Sequence, residues 1–371
     1  MAHAPNRPVL SAADVLFLIN TTQVGVGIFR MAREHITATG SDAWLVPLLG
    51  GLAVALLLGA AYALLARHAR GNWLDLGDTL LSAPLNAPFR VAFFAYCTLQ
   101  AAAVTAAFVD ILAILTFPTI HRYILSLLLF LPAWYALSGG IHVLAKLGLF
   151  TFLITIWMVA LGYYPLREAD WLNLLPVLDT PPATLLRQAA NSGFEFSGFE
   201  MFLFLFPYLD DRRRAFRAAL WGHGITTLVY AYVVLITIVY FGKEQIRHVL
   251  YPLLDLFRVV ALPVMERFEM FMLSLWLFQI VATVGAYLWM AAEILNRWPR
   301  IQPHRHVLAF VAALALYAAL PESYLAIERL SGWSGKAGLA LVVVTLLLYG
   351  IGHFVRKRGT GYAKGGSPAA G

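Results

Sequence analysis

Apolar residues along this chain fall in long unbroken blocks, without the alternation of a half-buried strand or the single stripe of a surface helix. Ala43–Ala66, Val91–Val109, Leu147–Leu166 and Met270–Ala292 hold no charged side chain. Ala218–Gly242 holds only His223, and Ala337–Val355 only His353. A hydrocarbon layer about 30 Å thick is crossed by about 20 helical residues, so each block predicts one spanning helix. Tyr123–Leu137 is shorter and contains Pro132, and Ser138-Gly139-Gly140 after it predicts a turn. Val307–Pro321 is short but apolar throughout.

Two further segments fit lipid less well. Ser11–Met31 contains Asn20-Thr21-Thr22-Gln23 followed by Val24-Gly25-Val26-Gly27-Ile28-Phe29. Leu185–Leu209 contains Asn191-Ser192-Gly193-Phe194-Glu195-Phe196-Ser197-Gly198, with Glu200 beyond it. An unpaired amide in hydrocarbon costs several kcal/mol, so broken backbone survives only around a protected cavity. Counting both segments predicts an all-α integral membrane protein of about ten helices. The first and sixth would each open a half of five. Matching interruptions in two halves point to the ligand site of an inverted-repeat transporter. For either motif alone, close packing of helices through small residues is the competing reading.

Composition narrows the class. The chain has 371 residues, 60% hydrophobic and 13% charged, against about 45–50% and about 25% in soluble domains. That excludes a cytosolic enzyme, a disordered protein and a conventional nucleic-acid binder, and it makes the lipid bilayer the solvent. The net charge of +7 is clustered: Arg67 and Arg70; Arg212-Arg213-Arg214 with Arg217; Arg297, Arg300 and Arg305; Arg356-Lys357-Arg358. With both termini cytoplasmic, every cluster lies inside, as the positive-inside rule requires. Trp73, Trp171, Trp298 and Trp333 would mark the interfaces. The N-terminus lacks the pattern of a cleaved signal peptide, so the first helix is expected to stay. The single cysteine, Cys97, reads as a small buried hydrophobe.

The expected organisation is a cytoplasmic N-terminus over 1–10, a first repeat over 11–163, an outer connection over 164–183, a second repeat over 184–358 and a disordered tail over 359–371. Leu250, Leu253, Leu254, Phe257 and Val260 recur at helical spacing, predicting a short helix on the membrane or a partner.

Gly25-Val26-Gly27-Ile28-Phe29 resembles the G-x-G-I-F of the first helix in the amino acid–polyamine–organocation superfamily. Phe196-Ser197-Gly198-Phe199-Glu200, with Pro207 following, resembles the F-x-G-F-E…P of its sixth helix. Within that superfamily, ten helices and short tails look most like the spore germination permeases, the B subunits of GerA-type germinant receptors. The resemblance covers about Leu10–Arg358. The first-helix motif marks the superfamily, and the branch rests on overall character.

That resemblance implies a LeuT-type fold binding a small germinant, commonly an amino acid, between helices one, three, six and eight. Partner subunits, a larger membrane subunit and a lipoprotein, would receive the signal. Exposed N–H groups in Gln23, Val24, Gly25, Val26 and Gly27 would hold a carboxylate. Carbonyls around Gly193, Phe194, Glu195 and Phe196 would accept from an ammonium, with the two phenylalanines as an apolar wall. On helix eight, Thr283 and Tyr287 share a face, as do Gln100 and Val104 on helix three. Helix–helix hydrogen bonding is the alternative role for the first pair.

Ionisable groups inside a membrane are functional expectations by default. Lys146 stands about two turns into helix five, where proton-coupled superfamily members place a lysine; snorkelling to the interface is its alternative. Glu200 matches the sixth-helix acid and reads as a structural or gating group. Glu195, inside the break, is the better ionisable site residue. Asp110 is expected to be solvated, and Glu266, Glu269 and Glu293 interfacial. His304-Arg305-His306 lacks the partners of a metal site, so no metal and no cofactor are expected. With no H-E-x-x-H, P-loop or G-x-S-x-G motif, no enzyme activity is expected either. The expected function is germinant sensing. The alternatives are a proton-coupled amino acid transporter and a scaffold with a vestigial pocket.

Overall fold

Ser11 starts the first helix: its hydroxyl accepts from the Asp14 amide, and the Asp14 carboxylate accepts from the Ser11 amide. This capping box satisfies two N–H groups that a helix start leaves bare. Helix α1 (Ala12–Gln23) stops where Val24 turns to ψ 73°. A short 3₁₀ turn, Gly27–Phe29, leads into α2 (Met31–Thr39). The structure, a computed structural model, describes residues 9–68, 71–260, 267–298, 300–320 and 323–363. Arg70, Glu266, Pro321, residues 1–8, the tail from 364 and the side chains of Arg356-Lys357-Arg358 lie outside that description.

The remaining helices are α3 (Leu45–His68), α4 (Trp73–Leu80), α5 (Ala83–Leu115), α6 (Arg122–Ser138), α7 (Gly140–Ile156) and α8 (Tyr163–Arg167). Then come α9 (Pro182–Asn191), α10 (Met201–Leu205), α11 (Arg212–Gln245), α12 (Pro252–Arg258), α13 (Phe268–Leu295), α14 (Arg305–Ala318) and α15 (Tyr324–Ala363). Among the described residues there is no strand, and six helices are long and apolar enough to cross a membrane. The two broken segments and the shorter α6 and α14 complete about ten crossings.

Packing reveals the repeat. Helix α1 packs against α11 and α7, as α9 packs against α3 and α15. Helix α6 packs on α13 as α14 packs on α5, and α7 meets α13 as α15 meets α5. The pairs α3–α11 and α5–α13 are their own counterparts. Exchanging the halves therefore reproduces the contacts, and an odd number of helices per half inverts one relative to the other. These are the two inverted five-helix repeats of the LeuT-type fold. At its centre, Gln100–Leu112 of α5 and Gln279–Leu295 of α13 are buried without interruption, as helices that are apolar all round must be.

Several elements differ from the sequence reading for physical reasons. The first helix resumes after its break and runs to Thr39, because Arg30 and Glu34 neutralise each other at 3.1 Å. Helix α5 starts at Ala83: Asn86 donates to the Leu74 carbonyl at 2.8 Å, and Arg90 pairs with Asp78. Helical backbone in α15 continues past Arg358, the expected end of the second repeat, to Ala363. The stretch around Leu253, Leu254, Phe257 and Val260 is α12 and its end, buried against α13 and not spread on a membrane. Trp73 is no interfacial anchor, since it is buried and donates to Thr345 Oγ1 at 3.0 Å. Asp110 is not solvated: it pairs with Arg122 at 2.8 Å and accepts from Tyr251 at 3.0 Å. Glu269 is likewise buried, 3.1 Å from Arg267.

Candidate functional site

The breaks in the first and sixth helices lie against each other in the middle of the bundle. At Gly198 the chain takes φ +117°, and a Cβ there would stand 2.6 Å from the Thr22 carbonyl carbon. Only glycine allows both the conformation and that approach. Opposite α1, the same turn rests on α15, where a Cβ on Gly193 would meet the Gly335 carbonyl oxygen at 3.0 Å. The sixth-helix break is thus held between two helices by bare backbone.

Unwinding exposes carbonyls, and side chains take them up. On the first helix, Gln279 Nε2 of α13 donates to both Thr21 O and Val24 O, each at 2.6 Å. Thr283 Oγ1 donates to Thr21 O at 3.1 Å, and Trp276 Nε1 to Gly25 O at 3.3 Å. The Gly25 amide donates to Gln23 O at 2.8 Å, with the Tyr230 hydroxyl also 2.8 Å from that oxygen. On the sixth helix, Ser197 Oγ donates to Gly193 O at 2.7 Å and the Ser197 amide to Phe194 O at 3.3 Å. Tyr230 reaches Glu195 O at 3.0 Å, and Gln23 Nε2 donates to Phe196 O at 3.0 Å. A tyrosine has one proton, so Tyr230 donates to Gln23 O or Glu195 O one at a time, bridging the two breaks.

Gln23 is a bridge and not an open donor. Its amide also lies 3.1 Å from His223 Nδ1, while His223 Nε2 is 2.8 Å from Gly51 O. A carbonyl can only accept, so the proton sits on Nε2 and Nδ1 accepts from Gln23.

The amides sort differently. Val24 N donates to Asn20 O and Gly25 N to Gln23 O, both at 2.8 Å. The amides of Val26, Gly27 and Ile28 are not among the donors in these bonds. Of the four amides expected to be exposed at Val24–Gly27, those of Val24 and Gly25 are therefore hydrogen-bonded within the chain, while Val26 and Gly27 are not among these donors. The carbonyls of Gly193, Phe194, Glu195 and Phe196, expected to face an ammonium, each have a donor of the chain itself within hydrogen-bond distance, which leaves each with its second lone pair.

Other expected site residues are spread between bonding and packing. Tyr287 and Tyr96 both donate to Glu200 Oε1, Tyr287 at 3.1 Å, while Glu200 Oε2 accepts from Gly198 N at 2.9 Å. Glu200 thereby closes the sixth-helix break and ties it to α5 and α13. Gln100 accepts from Ser334 at 2.7 Å, joining α5 to α15, and Val104 is buried beside it. Phe196 lies between His223 and Tyr230, with ring centroids 5.6 and 5.5 Å away. Phe194 lies under the Arg30 guanidinium, 5.4 Å from the ring centre. Lys146 is mostly exposed and pairs with Asp14 at 3.2 Å near the start of α1, away from the breaks.

Glu195 stands apart. It is 5% exposed, and a Cβ on Gly27 would be 3.4 Å from its Cγ. Its Oε2 is buried without a hydrogen-bond partner among the described residues. Beside the first-helix break, a largely apolar pocket opens between α7, α11, α12 and α13, reaching Asn20, Val24, Ile28 and Trp276.

Gln279, Trp276, Tyr230 and His223 escaped the sequence reading. Gln279 was within reach of it: it is a polar residue in an apolar run, four before Thr283 on the same face.

A family profile described as spore germination protein matches residues 9–325. Spore germination protein GerQB of Bacillus cereus is 25% identical over 346 residues, covering 93% of this chain and 96% of that protein. Spore germination protein GerLB of Bacillus cereus is 23% identical, covering 95% and 96%. Spore germination protein YndE of Bacillus subtilis is 23% identical, covering 76% and 78%. Among solved structures, a Na⁺-coupled sialic acid symporter in a substrate-bound outward-open state superposes with a TM-score of 0.65. It covers 93% of this chain and 79% of its own, at 13% identity, a likeness of fold. On the match across most of its length, the chain belongs to the spore germination protein family, as an integral membrane protein of LeuT-type fold.

Proposed function

We propose that this chain is the membrane germinant-sensing subunit of a receptor, and that it binds a small ligand, an amino acid, where the first and sixth helices break. The observation that carries this reading is the pair of breaks. Their carbonyls are taken by side chains, while Val26, Gly27 and Ile28 keep amides for an anionic group. Binding would bias two arrangements of the bundle through differential affinity and pass the change to a larger membrane subunit and a lipoprotein. The repeats, 11–163 and 184–358, would move against each other, with Glu200 and the Lys146–Asp14 pair as gating contacts. Both termini would be cytoplasmic.

Thermal unfolding of the purified chain with amino acids, sugars and nucleosides tests this. A ligand at 100 times its Kd adds about 2.7 kcal/mol of stability. Gly25→Val should abolish the shift while leaving the unliganded midpoint in place. A Cβ at Gly25 would make only ordinary contact, with Thr283 Cγ2 at 3.8 Å, and the γ-methyls of valine add bulk at the break itself. A shift unchanged in Gly25→Val would sink the reading.

The symporter fold favours a second reading, a proton-coupled amino acid transporter. Proteoliposome uptake of the stabilising ligand, abolished by Lys146→Ala, would select it. A sensor binds without uptake.

A further inference from the structure

We propose that the Glu195 carboxylate is the counter-ion for a cationic nitrogen on the ligand, so that the site selects amines. This rests on the reading that the breaks form the ligand site, and it names what that site recognises.

Three observations converge on Glu195. First, none of the sixth-helix break carbonyls is a bare acceptor: Gly193, Phe194, Glu195 and Phe196 each have a donor of the chain within reach, from Ser197, Tyr230 or Gln23. Second, Glu195 Oε2 is buried and has no hydrogen-bond partner among the described residues, while the side chains of Gln23, Ser197 and Glu200 around it are bonded. Third, the local charges do not cancel. Arg30 and Glu34 lie within electrostatic reach of Glu195, but Arg30 already pairs with Glu34 at 3.1 Å. With Arg33 and Glu328, which also act on Glu34, two guanidinium groups face three carboxylates. An uncompensated charge in a low-dielectric interior is costly, and an ammonium supplies both the missing charge and the missing donor. The side chain lies over Gly27, next to the amides of Val26–Ile28. A carboxylate acceptor and bare N–H groups therefore sit side by side, the complement of a zwitterion.

The test uses the full chain in detergent and three probe sets: the proteinogenic amino acids, their des-amino carboxylic acids, and primary amines without a carboxylate. Amine-bearing probes should raise the unfolding midpoint and des-amino acids should not. Glu195→Gln keeps the shape and should weaken amine binding about 30-fold or more, and Glu195→Asp should restore part of it. Equal binding of des-amino acids overturns the proposal, as does amine affinity in Glu195→Gln within threefold of the parent. Stabilisation only by neutral sugars or nucleosides, or by no amine, also overturns it. So does an unchanged affinity with only its pH dependence lost, which would make Glu195 a proton site. Gly25→Val separates the two levels. If it abolishes binding while Glu195→Gln does not, the site stands and the counter-ion falls; if it changes nothing, the site itself falls.

Discussion

At the scale of single residues, the breaks are organised by donors on neighbouring helices. Gln279 is the central one, because its two amide protons match two carbonyls of the first helix, Thr21 and Val24. Gln279→Leu keeps the volume and removes both bonds. It should lower stability by about 2 kcal/mol, since buried acceptors left bare cost more than a hydrogen bond gains. The value stays modest because an unfolded chain in a bilayer also finds partners. Unfolding in detergent should show an earlier midpoint, and a midpoint unmoved by Gln279→Leu would mean the carbonyls find water or other donors. The sequence told which residues are polar in apolar runs, but not what each of them bonds. Thr283 and Tyr287 were legible as a shared polar face, read as pointing at a ligand with helix–helix bonding as the alternative. Their partners, Thr21 O and Glu200, depend on helix rotation and register, which periodicity along one helix does not contain.

At the scale of elements, the two glycine-bearing breaks look alike in sequence and differ in what they require. Gly198 has φ +117° and lies against the Thr22 backbone, whereas a Cβ at Gly25 would make only ordinary contact, 3.8 Å from Thr283 Cγ2. Gly198→Ala should cost about 3 kcal/mol or more, combining backbone strain with a clash that no rotamer relieves. Gly25→Ala should stay within about 0.5 kcal/mol. The two variants compared by size-exclusion profile and thermal midpoint provide an internal control, and equal behaviour would refute the packing argument. Helix positions were legible because lipid demands long apolar runs. Helix ends were not, because charged residues there are paired. Arg90 is held by a tertiary partner, Asp78 of α4, where α5 begins, and Arg30 by a local one, Glu34 four residues on. A charge in sequence reads as a boundary until its partner is known.

At the scale of the whole molecule, the inverted repeat was legible from the two breaks, while the helix pairing that expresses it came only with three dimensions. The placement of the chain in the bilayer follows from the same architecture. Arg212, Arg213, Arg214 and Arg217 open α11 and Arg297 follows α13. Arg297 is tied to Asp75 and Asp78 of α4 and, at 2.7 Å, to Asn72. The opposite end carries the connection over 168–181, where Asp42 of the α2–α3 turn accepts from the Leu178 and Thr180 amides at 2.6 and 2.8 Å. Basic clusters at membrane ends stay on the cytoplasmic side, so the Arg213 end should face the cytoplasm and the Asp179 end the exterior. Cys97 is the only cysteine and is fully buried, so single thiols can be introduced against a silent background. In intact cells a membrane-impermeant maleimide should label Asp179→Cys, and should label Arg213→Cys only after permeabilisation. Both positions are exposed, so failure to react would report the membrane and not the fold. The reverse pattern would turn the bundle over, placing the Asp179 end in the cytoplasm and the Arg213 end outside.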